Sequence, residues 1–228
     1  MNVLIVGYGK MGQLIDALAA EQGIAVTGRV DDGRDEWRAA DVAIDFTTAD
    51  ALVANFPRYV EMKMPVVIGT TGWAAHAASL RAQAERAGLG VVASANFSIG
   101  VNIFQLVVNE AARLMRQQAQ YGAWIHEAHH ATKRDAPSGT ALQLRDGMVA
   151  AGFDRPIDMS STRAGGIPGT HTAGFDGPSD TIELIHTARD RRGFAGGALV
   201  AAKWVRGRQG WFTMADVLQT PADVAGGL

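Results

Sequence analysis

Between Glu127 and Ala141 the chain reads EAHHATKRDAPSGTA. His129, His130, Lys133, Arg134 and Asp135 fall within seven residues, and His126 brings this stretch to three of the chain's six histidines. Histidine titrates near neutrality, and a lysine among cationic neighbours is expected to have a lowered pKa, so the cluster suits proton transfer. Pro137, Ser138, Gly139 and Thr140 follow and lead into a predicted helix, residues 141–151. A Ser-Gly-Thr turn at a helix start leaves backbone N–H groups pointing outward, a seat for a carboxylate or phosphate. Proton donors beside such a seat imply catalysis on an acidic small molecule. Two other readings stay open for the histidine pair, a metal site and a solvated loop. Neighbouring histidines on a strand face opposite sides, and no zinc-type spacing is present, so the expectation is no metal.

Proton-transfer groups need elements to hold them and a partner to complete the reaction. The chain opens on a short apolar strand, Asn2–Val6, followed by Gly7-Tyr8-Gly9-Lys10-Met11-Gly12 and a helical stretch. Strand, G-x-G-x-x-G and helix in that order form the fingerprint of a dinucleotide-binding turn. A second strand, 24–30, ends at Asp31, placed to bind ribose hydroxyls, although Asp31-Asp32-Gly33 also reads as a plain turn. Further strands are expected at 41–46, 65–68 and 90–93, with a helix at 49–61. The loops after the last two are Gly69-Thr70-Thr71-Gly72 and Ser94-Ala95-Asn96-Phe97-Ser98. Strands alternating with helices argue for a parallel, doubly wound α/β sheet, whose ligands bind beyond the carboxyl ends of the strands.

A long amphipathic helix, 101–117, is expected to be mostly core on its apolar side and to carry the chain into a second domain. A strand at 123–127 then delivers the histidine block. Residues 156–179, rich in Gly, Pro, Ser and Thr, read as a mobile loop or irregular strands. Arg163 and His171 lie there, with surface and site positions both open to them. Thr181–Thr187 has the alternation of a half-buried strand, and 194–205 reads as an Ala/Gly-rich helix. The domain division expected is 1–100 with 194–228 against 101–193.

The 228 residues suffice for one large domain or two modest ones. A net charge of −2 gives no sign of a nucleic-acid partner. The absence of cysteine excludes disulfides and thiolate chemistry and fits a reducing cytoplasm. No apolar run approaches a membrane span, and no cleavable leader is read at the N-terminus, so neither a membrane nor a secreted location is expected.

The block from Glu127 to Ala141 strongly resembles the signature of dihydrodipicolinate reductases, pyridine-nucleotide enzymes of diaminopimelate and lysine synthesis. GYGKMG, GTTG, SANFSIGVN, RAGGIPGTHT and ELIHTARDRRGFAGGAL resemble further blocks of that family, in the family's order. The resemblance implies an N-terminal Rossmann domain and a C-terminal α/β (α+β) domain that binds substrate and forms a homotetramer. It implies reduction of 4-hydroxy-tetrahydrodipicolinate, a small dicarboxylate, to tetrahydrodipicolinate with NADH or NADPH. His129 and Lys133 take the family's proton-handling positions, His130 a substrate contact, and Ser138, Gly139 and Thr140 the carboxylate seat. Gly7, Tyr8, Gly9, Lys10, Met11, Gly12, Asp31, Gly69, Thr70, Thr71, Ala95, Asn96 and Phe97 take the dinucleotide contacts. Asp32 departs from the family, where a basic residue often follows the acid; it would repel a 2′-phosphate and favours NADH. Lys10, Arg29 or Arg34 could offset it. The segment between Asp31 and Asp41 is shorter than in many members. Since the histidine block follows the nucleotide half, closure of one domain on the other is expected during catalysis. Two other functions remain in view: another Rossmann dehydrogenase acting on an amino or hydroxy acid, which leaves KRDAPSGT unexplained, and a non-catalytic NAD(H) sensor, which has no use for Lys133.

Overall fold

The computed structural model describes residues 1–32 and 35–219. The chain divides into two compact units, one formed by Met1–Ile99 with the chain from Arg191, the other by Gly100–Asp190.

In the first unit the strands β1 (Asn2–Val6), β2 (Ala25–Val30), β3 (Val42–Asp45), β4 (Val66–Ile68), β5 (Gly90–Ala93) and β10 (Gly210–Phe212) form one parallel sheet in the order β10-β5-β4-β3-β1-β2. Helices α1 (Lys10–Glu21), α2 (Ala49–Glu61), α3 (Ala77–Ala87) and α6 (Arg192–Val205) cover it. The run Val3-Leu4-Ile5-Val6 is apolar throughout because both faces of its strand are buried. Val3 and Ile5 pack with Ile15 of α1 and Leu199 of α6. Leu4 and Val6 pack with Phe56 of α2 and Leu80 of α3 on the other face. The strand order reverses between β1 and β3, and such a switch opens a crevice beyond the strand ends. The segment Gly210–Phe212, unassigned in the sequence reading, joins the sheet as an edge strand beside β5.

The second unit holds α4 (Ile99–Met115), β6 (Gly122–His129), α5 (Gly139–Ala150), β7 (Ile157–Arg163), β8 (Thr170–Asp176) and β9 (Thr181–Thr187). Its sheet runs β7-β6-β8-β9, with β6 parallel to β7 and antiparallel to β8. Along β6, alternate residues Ala123, Ile125, Glu127 and His129 are buried. The first two meet Val108 of α4, Leu144 and Met148 of α5 and Phe175 of β8. The same face of β6 therefore begins as hydrophobic core and ends in two titratable groups.

Two expectations are corrected. Residues 156–179 contain two regular strands, β7 and β8, because pairing on both sides of β6 overrides their glycine and polar content. The apolar side of α4 is split: Val101, Phe104, Val108 and Ala112 are buried, whereas Ile103, Val107 and Leu114 remain roughly half exposed, at 47%, 47% and 58%. One helix turns only one stripe toward one sheet.

Gly197, inside α6, lies against the carbonyl of Phe97; a Cβ there would sit 1.7 Å from that oxygen. Alanine normally stabilises a helix interior over glycine by about 1 kcal/mol. Here the backbone contact opposes it, and overpacking costs about 1–3 kcal/mol. Gly197→Ala is expected to lower the urea midpoint, and a raised midpoint would show that α6 can lift off Phe97 freely.

Candidate active site

In the first unit the expected dinucleotide residues gather at the carboxyl ends of β1, β2, β4 and β5. A cavity of about 660 Å³ is bounded by Gly7, Gly9, Asp31, Asp32, Trp37 and Arg58, among others. Beside it, a cavity of about 390 Å³ is lined by Gly9, Lys10, Met11, Gly69, Thr70 and Thr71. A third, about 290 Å³, includes Thr70, Thr71 and Ala95 with Trp73 and Trp211. A Cβ on Gly9 would meet nothing within 4 Å, so the turn is open where a pyrophosphate would approach. The loop is braced from behind: Gly7 N–H donates to the Val30 carbonyl at 2.7 Å and Tyr8 N–H to Asp31 Oδ1 at 3.0 Å. These features fit a dinucleotide.

Two residues in this group act differently from the rest. Phe97 is buried, and its ring packs into the core beside Phe46. The Tyr8 hydroxyl donates to Asp16, whose carboxylate also takes a two-pronged contact from Arg29 at 2.6 and 2.8 Å. Arg29 is thus committed to Asp16, and Arg34 lies outside the described residues. At the end of β2, Asp35 Oδ2 accepts from the N–H groups of Asp31 at 2.6 Å and Asp32 at 2.9 Å.

Asp45 was not foreseen. Fully buried at the end of β3, its carboxylate accepts from Tyr59 Oη, Thr47 Oγ1 and Thr70 Oγ1, each at 2.7 Å. Burial raises its pKa, and these hydrogen bonds oppose the rise. It anchors the Gly69–Thr71 loop from below.

In the second unit, the buried face of β6 presents Glu127 and His129, two residues apart and so on one side. Glu127 Oε1 accepts from Arg163 Nη2 at 2.7 Å and from Ser138 N–H at 3.3 Å. Glu127 Oε2 and His129 Nδ1 form a close ion pair, bent away from the ring's N–H axis. His171, opposite Glu127 on β8, stacks edge-on to His129 at 5.0 Å, and its Nε2 lies 3.1 Å from Ser138 Oγ. Ser138 caps α5, with Oγ accepting from Ala141 N–H at 3.2 Å.

Burial alone would raise the Glu127 pKa, but Arg163, the Ser161 hydroxyl and the charge of His129 outweigh it and hold the carboxyl at about 2. Burial pushes His129 down, Glu127 pulls it up, and Lys133 and Arg163 push it down. His171 is driven to about 4, chiefly by burial.

The expected residues divide accordingly. His129 is central. His130 leaves the strand and bonds Thr132 Oγ1 at 2.8 Å, outside the Glu127–His129 pair. Ser138 is buried, with N–H and Oγ both engaged within the chain, whereas Gly139 is exposed and Thr140 half buried at the open end of α5. Lys133 has an acidic partner that the cationic run did not suggest: its Nζ is 2.8 Å from Asp135 Oδ1. That carboxylate is held low by Lys133 first and also receives the Gly139 N–H. The sequence assigns Glu127 no role and leaves Arg163 and His171 open; the alternation Ile125, Glu127, His129 is the available signal for Glu127.

Ligand atoms of Glu127, His129 and His171 lie within 4.8 Å of one another, a grouping that could hold a metal ion. It differs from the adjacent-histidine pair weighed from the sequence. Arg163 already neutralises Glu127, and its positive charge opposes a second cation there.

The depressed His171 pKa has a definite sign. Its folded pKa lies below the ordinary 6.5, so its contribution to stability is complete above about 6.5 and is lost as the pH falls toward about 4. His129 and His186, also lowered by burial, act in the same direction. The Glu127 contribution is lost lower, between 4.5 and about 2. The unfolding midpoint is expected to fall as pH drops from neutrality to about 4, with a shallower slope in His171→Gln; an unchanged slope would place the titration elsewhere.

Residues 1–97 match the family profile described as dihydrodipicolinate reductase, N-terminus, and residues 100–218 match dihydrodipicolinate reductase, C-terminus. The 4-hydroxy-tetrahydrodipicolinate reductase of Christiangramia forsetii is 34% identical, covering 96% of this chain and 98% of that protein. The one from Methanoregula boonei is 36% identical over 95% and 97% of the two chains. Among solved structures, dipicolinate-bound dihydrodipicolinate reductase from Paenisporosarcina sp. TG-14 has the same fold, with a TM-score of 0.80 at 21% identity, covering 93% of this chain and 97% of that one. By both of its halves, this chain belongs to the dihydrodipicolinate reductase family.

Proposed function

We propose that the protein reduces 4-hydroxy-tetrahydrodipicolinate to tetrahydrodipicolinate with a reduced nicotinamide nucleotide, in the diaminopimelate and lysine route. The observation that carries this reading is the Glu127–His129 pair and Lys133 beside the N-terminus of α5, in a chain whose relatives bear that activity's name. The first unit holds the nucleotide through Gly7, Tyr8, Gly9, Lys10, Met11 and Gly12, through Asp31, and through the loops Gly69–Thr71 and Ala95–Phe97. The substrate's 4-hydroxyl leaves as water, and the cofactor, when bound, would supply a hydride. The chain's own residues then manage charge and protons. The N–H groups of Gly139 and Thr140, with the α5 dipole behind them, receive a substrate carboxylate. Lys133 attracts the dianion and gives up a proton, assisted by His129; His130 lies near enough in sequence to touch the substrate's edge. An incoming carboxylate competes with Asp135 for Lys133 and Gly139, so binding exchanges one carboxylate for another.

The cofactor is NADH in preference to NADPH. Asp31, Asp32 and Asp35 concentrate negative charge at the end of β2, and Asp35 already takes the two N–H groups there that a 2′-phosphate would use. Arg29, a candidate counter-charge, is held by Asp16. The protein works in the cytoplasm as a homotetramer, for which the open face of the second sheet, with Ile185 60% exposed, is the assembly surface. No helix among the described residues is long and apolar enough to cross a membrane.

A coupled assay, in which a synthase generates the substrate and NADH oxidation is followed, tests the reaction; no oxidation would refute it. Lys133→Ala is expected to lower kcat about 10²–10⁴-fold, the range of a positioned proton donor, with NADH affinity nearly unchanged. Fluorescence titration should give NADH a Kd at least about tenfold tighter than NADPH, about 1.4 kcal/mol. Equal or tighter NADPH binding would overturn the preference.

A further inference from the structure

Glu127 is given no step of its own in the proton and charge handling assigned above, yet it is fully buried and in register with Ser161 on β7 and His171 on β8. A buried carboxylate is retained only where its partners compensate its desolvation. We propose that Glu127 is the positioning residue of this site: one carboxylate fixes which nitrogen of His129 carries the proton and, with its other oxygen, seats the first turn of α5.

The two oxygens have separate tasks. Oε2 faces His129 Nδ1. Although the contact lies off the N–H axis, a carboxylate oxygen beside a ring nitrogen repels a lone pair and attracts an N–H, so Nδ1 keeps its proton in the neutral ring, and Nε2 becomes the nitrogen that exchanges protons. Space is left on the Nε2 side: residue 169 is glycine, and a Cβ there would lie 3.1 Å from Nε2. Oε1 accepts the Ser138 N–H at 3.3 Å, and Ser138 is the residue from which α5 starts. The direction of the following N–H groups, at Gly139 and Thr140, is set by that anchor. Arg163 Nη2 closes the arrangement, donating to Oε1 at 2.7 Å and to the Asp135 carbonyl at 2.5 Å. The assisting histidine and the anion seat are thereby fixed to the same group.

A neutral amide oxygen could accept the Ser138 N–H but could not supply the charge beside His129. The charged or titratable groups acting on His129 are Glu127 on its own strand, Arg163 on β7, His171 on β8 and Lys133 in the loop that follows. Of these, Glu127 is the one that favours the protonated ring.

The catalytic consequence rests on the reductase reading; the state of the ring does not. With the wild-type protein labelled at its histidine ring nitrogens and assigned by His129→Gln, ¹⁵N NMR should find neutral His129 protonated at Nδ1 and bare at Nε2. The opposite tautomer overturns the proposal, and this measurement decides alone if Glu127→Gln does not fold. In folded Glu127→Gln, kcat should fall about 10²-fold. The limb of the kcat–pH profile reporting His129 should move to lower pH by about one unit, as for loss of one nearby opposite charge. NADH Kd should stay within about twofold, since Glu127 belongs to the other unit. A wild-type profile in this variant overturns the proposal and leaves the reductase reading intact. An inactive wild type with the expected tautomer sinks the reductase reading and leaves the positioning role standing.

Discussion

A carboxylate with no solvent exposure has to be held by its neighbours, and Glu127 is held from three directions. Arg163 comes from β7, Ser138 from the start of α5, and His129 from two residues along the same strand. Each contact fixes a different element, so the ends of β6, β7 and α5 cannot shift independently. Removing one partner of a buried pair is far more damaging than never having built it, because the remaining charge is stranded. The polar end of the second unit is organised by this requirement, just as its other end is organised by Phe153 and Phe175.

Asp45 plays a comparable part in the first unit with different chemistry. It has no cationic partner among its hydrogen bonds, only hydroxyls and a backbone N–H. The result is a raised carboxyl pKa, where Glu127 has a lowered one. Two buried acids at strand ends thus brace two sets of loops, one by charge pairing and one by hydroxyl donors.

Much of this was legible in the sequence. The glycine turn, five of the six strands of the first sheet and the His129–Lys133 block follow from local patterns: strand, turn and helix signals within about thirty residues. What was hidden depends on pairing between distant segments. Glu127 read as the last residue of a strand, and its meaning required Arg163, 36 residues on, and Ser138. Residues 156–179 read as a mobile loop or irregular strands because their polar and glycine content outweighs their β-propensity, and it is pairing with β6 and, for β8, with β9 that makes them regular strands. Charges counted along the chain ignore direction, so they place Lys133 among cations, whereas the lysine turns to Asp135. Ser138 was read as facing outward, yet its bonds run inward to Glu127 and His171.

The late addition of α6 and β10 to the first sheet bears on how the chain is made. Val3, Ile5, Val67 and Val92 share their cluster with Ala198, Leu199 and Ala202, residues synthesised roughly a hundred or more positions later. The second unit is one unbroken stretch and can complete its core as soon as that stretch leaves the ribosome. The first unit must wait with one side of its sheet covered only in part, by α1, until α6 and β10 are released. During translation the order of folding is therefore the reverse of the order of the sequence, and the interval in which apolar strands stand open is set by the length of the segment inserted between them.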